Sequence, residues 1–296
     1  KEGSPTHNFS HEDLQNGLRE ALDKLGEKRK VLVVPPDYTR LPSRAGELTE
    51  MAWEYYGDNL TDILPALGTH TPMTEWQITD MFGKIPHELF RDHDWRNDVI
   101  TLGQVPADFV NKITNGKVNF TWPAQVNKLL IDGDFDLILS IGQVVPHEVV
   151  GMANYNKNIF VGVGGAEAIN KSHYVGAVYG MEQMMGRSDT PVRKLFNYAS
   201  ENYANHLPIV YVLTVVGVNE AGKQQTYGLF IGDDFDVFNE AAKLSLEVNF
   251  KMLEEPLKKV IVWLDPTEFK STWLGNKSIY RTRMAIADDG ELIVLA

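Results

Sequence analysis

The segment Lys30-Val-Leu-Val-Val-Pro-Pro-Asp-Tyr-Thr-Arg40 decides how the chain is read. Its aliphatic run is short, rich in β-branched valine and stopped by a proline pair, which is the pattern of a buried strand. The strand runs straight into Asp37 and Arg40, and a helix is expected from about residue 43 to 56. Just upstream, Leu14, Leu18, Leu22 and Leu25 recur at helical spacing between Ser10, a capping residue, and Gly26, a stop. The same rhythm returns downstream. Residues 62–67 read as a strand ending in Gly68-Thr69-His70-Thr71-Pro72, with Thr71 as N-cap and Pro72 at the first helical position. A third strand is expected at 98–102, a helical piece at 123–130 and a further strand at 136–141. Strands alternating with helices predict an α/β fold with a mostly parallel sheet flanked by helices.

The second half continues with helices near 175–186 and 190–204 and a strand pair, 209–216 and 226–231, around the turn Asn219-Glu-Ala-Gly222. A helix at 235–247 and a strand at 259–264 follow, and Asp265-Pro266 breaks the pattern as a hinge. Residues 277–285 then read as helix and 291–296 as strand. The expected organisation is an N-terminal catalytic and cofactor domain over 1–265. Residues 266–296 would be a hinge and the start of a second, smaller α/β domain that is incomplete here.

Composition narrows the chemistry. Hydrophobic residues make up 43% of the 296 positions and charged residues 23%, an ordinary balance for a globular protein with a core. A formal net charge of −12 argues against nucleic-acid or anionic-membrane partners. The absence of cysteine excludes disulfides, thiolate catalysis and thiolate metal sites, so a metal would need His, Asp, Glu or a non-protein ligand. No apolar run approaches the ~20 residues of a membrane span and no signal-peptide pattern opens the sequence, so a cytoplasmic location is expected.

Residues 142–173 concentrate glycines, asparagines and ionisable groups, including His147, Lys157 and His173. In an open parallel sheet, ligands bind beyond the carboxyl ends of the strands. Asp37, Arg40, His70 and His147 all follow predicted strands, and their convergence on one crevice is expected from that topology. An imidazole placed there can shuttle protons near neutral pH. Asp37 and Arg40 read either as a carboxylate- or phosphate-binding pair or as a structural salt bridge. Lys157 reads either as a functional amine or as a solvated loop lysine. Gly162-Val-Gly-Gly165 is a candidate phosphate-cradling turn before a helix, although its spacing fails the dinucleotide fingerprint. His7, His11, His87, His93 and His206 read as surface or structural.

Taken together, these pieces resemble the nickel-dependent lactate racemase superfamily of 2-hydroxyacid racemases and epimerases. The resemblance rests on Pro36-Asp37-Tyr38-Thr39-Arg40, on Gly68-Thr69-His70-Thr71-Pro72-Met73-Thr74, and on Pro146-His147, Lys157 and His173 with their His-x9-Lys-x15-His spacing. It covers roughly residues 30–175. It implies that Lys157 carries a nickel-pincer nucleotide through a thioamide and that His173 completes the nickel coordination. It further implies that His70 and His147 form the acid/base pair, and that Asp37 and Arg40 help to bind cofactor and substrate. The implied reaction removes hydride from carbon 2, leaving a planar 2-oxo acid that can take hydride back on either face. The soft sulfur donors would belong to the cofactor, in keeping with a chain that has no cysteine.

Two departures stand out. The family's Gly-Gly-Arg-Lys segment is here Asn154-Tyr-Asn-Lys157, with the lysine retained. In the tail, where lactate racemases have a Tyr-Gln followed by a substrate-binding lysine, this chain has Tyr280-Arg281-Thr282-Arg283-Met284. Tyr280, Arg281 and Arg283, with Arg40, are therefore expected to bind the substrate, and a sugar acid is favoured over lactate. The expected partners are this small hydroxyacid, the enzymes that make the cofactor and, left open, a second copy of the chain. A catalytically silent sugar-acid-binding protein of the same fold is the alternative. A nicotinamide-dependent dehydrogenase ranks third for want of the fingerprint.

Overall fold

Every residue of the strand Val31–Val34 is buried, and its side chains alternate between two separate cores. The computed structural model describes residues 2–266, 269 and 271–296. In chain order the first half comprises β1 (Glu2–Gly3), α1 (His11–Leu25), β2 (Val31–Val34), α2 (Ala45–Tyr56), β3 (Leu60–Ile63), α3 (Glu75–Phe82), β4 (Val99–Val105), α4 (Ala107–Ile113), β5 (Trp122–Asn127), α5 (Leu129–Asp132) and β6 (Leu137–Gln143). The second half comprises β7 (Pro146–His147), β8 (Gly151–Met152), α6 (Ala166–Tyr179), α7 (Pro191–Tyr203), β9 (Ile209–Val218), β10 (Gln224–Gly232), α8 (Phe235–Asn249), β11 (Leu257–Trp263), α9 (Thr272–Gly275), α10 (Lys277–Thr282) and β12 (Ile286–Leu295).

The central sheet has six strands in the order β1-β10-β9-β6-β2-β3. Strands β3, β2, β6 and β9 run parallel, while β10 and β1 add an antiparallel edge. Val31 and Val33 of β2 join Leu137, Leu139 and Ile141 of β6 in a core closed by leucines of α1 and α2. Leu32, Val34, Ile138 and Leu213 face the opposite core, built around Trp122, Phe160, Phe196 and Phe238. Burial on both faces explains why these strands read as unbroken aliphatic runs. Each such side chain contributes roughly 1.5–3 kcal/mol by leaving water.

The expected α/β fold is therefore the observed one, and α1 has its expected ends: Ser10 and Asp13 form a reciprocal capping box and Gly26 follows the last turn. Helix α2 approaches α3 so closely that a Cβ at Gly46 would stand 1.9 Å from the Met81 carbonyl oxygen. Glycine is needed there.

Several local expectations are corrected. Helix α3 is capped by Thr74, not Thr71, because Thr74 and Gln77 bond reciprocally and outweigh the proline at 72. Residues 123–130 are mostly not helical: Trp122–Asn127 is a strand antiparallel to β4, with Pro123 near its beginning where a missing N–H is tolerated. The strand expected at 98–102 forms as β4 but belongs to that pair, outside the central sheet. The helix expected at 175–186 begins instead at Ala166, directly after Gly165, and places His173 in its middle. Strands β11 and β12 form a separate parallel pair. The division expected at 265 falls between them, and the expected hinge runs into residues 267, 268 and 270, which lie outside the described residues.

Candidate functional site

Beyond the carboxyl ends of β2, β3 and β6 the polar loops enclose a cavity of about 290 Å³. Asp37 and Arg40 reach it from the turn after β2, His70 from the loop after β3, and His147 from β7 just beyond β6. Lys157 lies at the start of a single π-helical turn, Asn158–Gly162, and His173 lies on α6. The side chain of Asn158 pins this turn to the sheet, donating to the Val34 carbonyl (3.0 Å) and to Ser140 Oγ (3.0 Å). All six residues singled out for catalysis, cofactor or metal thus line one cavity. Tyr280 lines it too, whereas Arg281 and Arg283 are not among the lining residues; Arg283 lies 3.6 Å from Glu182.

The three imidazoles are bonded in different ways, and the bonds fix where each hydrogen sits. His70 Nδ1 lies 2.5 Å from Asp37 Oδ2, so its Nδ1–H donates to the carboxylate and Nε2 is left bare as a base. Thr39 Oγ1 donates to the other Asp37 oxygen at 2.6 Å. Burial pushes the Asp37 carboxyl up, but these bonds and the Arg40 charge bring it below its ordinary value. His173 Nδ1–H donates to the Ile169 carbonyl at 2.7 Å, one turn back on α6, which leaves Nε2 bare on a residue that lines the cavity. His147 is the reverse. Its Nδ1 accepts the N–H groups of Val149 (3.1 Å) and Val150 (3.3 Å), so its hydrogen sits on Nε2. Burial holds His147 well below the usual imidazole range, and Lys157 and His173 add to the shift.

Burial also lowers Lys157 from 10.5 to about 8, with the charges of Arg40 and Lys277 contributing. A lysine so placed is a neutral nucleophile about a tenth of the time at pH 7, some hundreds of times more often than an ordinary lysine. Glu148 is buried, yet His147 and Lys277 draw its carboxyl down to about 2 against the cost of burial. Lys277 Nζ stands 3.8 Å from Glu148 Oε1, and both residues line the cavity. Neither was singled out from the sequence. Glu148 carried a signal in its place beside His147; Lys277 carried none, since α10 brings it in from far along the chain.

The departure Asn154-Tyr155 has a backbone explanation. Both residues take left-handed conformations, with φ of 62° and 58°. Glycine adopts this region freely and other L-residues pay on the order of 1–2 kcal/mol each. The Asn154 side chain offsets part of that cost by accepting the Tyr155 N–H at 2.7 Å. In Gly162-Val-Gly-Gly165, Gly162 lines the cavity and Gly165 immediately precedes α6. His93 is buried and structural: Nε2–H donates to the Gly164 carbonyl (3.0 Å) and Nδ1 accepts from Asn127 (2.9 Å). Among the described residues, no group of three or more His, Asp or Glu is placed to hold a metal ion. None of their helices is long and apolar enough to cross a membrane.

A cavity at the carboxyl ends of parallel strands, holding a low-pKa lysine, a His–Asp pair and two further histidines, defines a small-molecule site equipped for proton transfer. Comparison with known proteins makes the class specific. Residues 11–186 match the lactate racemase N-terminal domain, and the chain belongs to that family. It is 28% identical over 188 residues to the lactate racemase of Thermoanaerobacterium thermosaccharolyticum, an alignment that takes in 58% of this chain and spans 40% of that protein. The structure of the lactate racemase apoprotein from the same organism superimposes with a TM-score of 0.72 at 21% identity, over 97% of this chain and 67% of that one. A crystal structure of a Thermotoga maritima protein gives a TM-score of 0.84 at 26% identity, over 99% of this chain and 72% of that one.

Proposed function

We propose that this chain carries the cofactor-bearing half of a 2-hydroxyacid racemase or epimerase that inverts carbon 2. The observation that carries the reading is the meeting, in one cavity, of Lys157 with a lowered pKa, His173 with a bare Nε2, and the Asp37–His70 pair. These residues fit a lysine-tethered nickel-pincer nucleotide. Lys157 offers an amine that can be acylated, and His173 offers a single nitrogen already oriented by its own backbone bond. A metal held by His173 would draw its other donors from outside the protein, as a pincer ligand supplies them. When bound, that cofactor accepts and returns hydride.

The remaining steps belong to side chains of this chain. Arg40 and Lys277 are the cations that would take the substrate carboxylate. His70 Nε2 accepts the hydroxyl proton as the bond at carbon 2 opens, and Asp37 stabilises the imidazolium that results. His147, with its hydrogen on Nε2, meets the oxygen from another strand end as a donor. A sugar acid is the proposed substrate in preference to lactate, because Glu148 and Tyr280 add polar groups to the cavity wall that further hydroxyls can engage.

The test is production of the chain together with the cofactor-making enzymes. Intact mass then reads the adduct at Lys157, elemental analysis reads nickel, and carbon-2 inversion is followed over a panel of hydroxy and sugar acids. An unmodified Lys157 under these conditions refutes the reading. A silent binding protein would bind these acids without turnover, and its affinity would survive Lys157→Ala.

A further inference from the structure

Arg193, on α7, is fully buried, with 0% of its surface exposed. A buried guanidinium ordinarily rests against a carboxylate. This one is bonded instead to a single turn. Its Nη2 donates to the carbonyls of Met152 (2.7 Å) and Asn154 (3.3 Å). Its Nη1 donates to the Asn154 carbonyl (3.3 Å) and to Asn156 Oδ1. The Asn156 amide is itself held by α7, donating to Asn197 Oδ1 (2.8 Å) and Ser200 Oγ (3.2 Å). The guanidinium lies 4.2 Å from the ring centre of Phe238 and 5.8 Å from that of Tyr155. Among the described residues its Nε has no hydrogen-bond partner.

The turn gripped at 152, 154 and 156 is the one with two consecutive left-handed residues, and Lys157 follows it at once. The pattern is costly for a fold that needs only packing: apolar residues of similar volume are often as stable as buried charges. It is apt for holding a strained turn in one conformation. We propose that Arg193 is the positioning residue of Lys157, fixing the turn at 152–156 so that the amine enters the cavity beside Arg40 and Lys277. The inference rests on the reading that Lys157 is the reactive group of the site.

The experiment uses the full chain without cofactor. Wild type, Arg193→Met and Arg193→Lys are treated with acetic anhydride across a pH series, and acetylation of Lys157 is quantified by peptide mass spectrometry. Leu195→Ala, at a fully buried position on the same helix, leaves the hydrogen bonds of Arg193 to the turn in place and controls for simple loss of stability. Arg193→Met is expected to keep native circular dichroism while the Lys157 midpoint rises by about one pH unit, a roughly tenfold loss of reactivity near neutrality. Arg193→Lys should recover part of it, and Leu195→Ala should leave the midpoint where it is. An Arg193→Met protein that is less stable but labels at Lys157 as wild type does overturns the proposal. Should Arg193→Met not fold, Asn156→Ala cuts one of the same links and is read the same way; failure of both to fold assigns Arg193 to the fold alone and also overturns it. A wild-type chain that never accepts cofactor would sink the function proposed above and leave this labelling result standing.

Discussion

Replacing Lys157 with methionine should make the protein more stable at pH 7 while abolishing any tether. The unfolded chain holds its lysine proton up to pH 10.5, and the folded chain releases it at about 8. Below pH 8 both states carry the proton, and folding bears the full cost of burying the cation and placing it beside Arg40 and Lys277. That cost corresponds to about 3 kcal/mol at 1.36 kcal/mol per pKa unit. Between pH 8 and 10.5 the unfolded state binds more protons than the folded state, so wild-type stability gains about 1.4 kcal/mol per pH unit relative to the variant. Above 10.5 the penalty is gone. Methionine has similar length and no charge, and its flexible chain fills irregular space. Urea unfolding of both proteins at pH 7 and pH 10 measures the gap, and comparing the two cancels the titrating groups that do not interact with Lys157. The variant should lead by up to about 3 kcal/mol at pH 7 and by under about 1 kcal/mol at pH 10. A variant less stable at pH 7, or a gap that does not move with pH, would refute the reasoning that burial and two neighbouring cations depress this amine.

Asp37→Asn should leave His70 without its carboxylate partner and lower carbon-2 turnover by about 10²–10⁴-fold with little change in KM, read by steady-state kinetics on loaded enzyme. Gly46→Ala should destabilise by about 1–3 kcal/mol, at the upper end because the obstructing atom is the Met81 backbone oxygen; denaturant midpoints decide. Ser10→Ala removes one arm of the α1 capping box and should cost about 1 kcal/mol in the same assay.

The frame of the fold was legible because its strands are buried on both faces and its first helix is capped by local chemistry. Leu32 and Ile138 needed no partner in view to read as strand residues. Starts decided by competition were harder: Pro72 suggested a helix that the Thr74–Gln77 box delays, and Pro123 disguised β5. At the site, Asp37, Arg40, His70 and His147 could be found by position, since each follows a strand that ends at the same edge. The role of Lys157, like that of Asp37 and Arg40, was ambiguous in sequence, and its surroundings in the fold are what depress its pKa. Lys277 was invisible because only the packing of α10 brings it to the cavity. Arg193 reads as one more polar residue of a helix until the turn it grips is seen.

Lys277 and Tyr280 lie on α10, between strands that pair with each other and not with the central sheet. Asp37, His70 and His147, by contrast, stand just beyond β2, β3 and β6. On the proposed function, the α10 wall would bear on recognition alone, whereas the other wall carries the proton-moving residues together with Arg40. If the chain acts as proposed, substitutions along α10 should retune which acid is admitted while the residues beyond β2, β3 and β6 keep their geometry, and a library confined to that short helix is the economical place to look for new substrates.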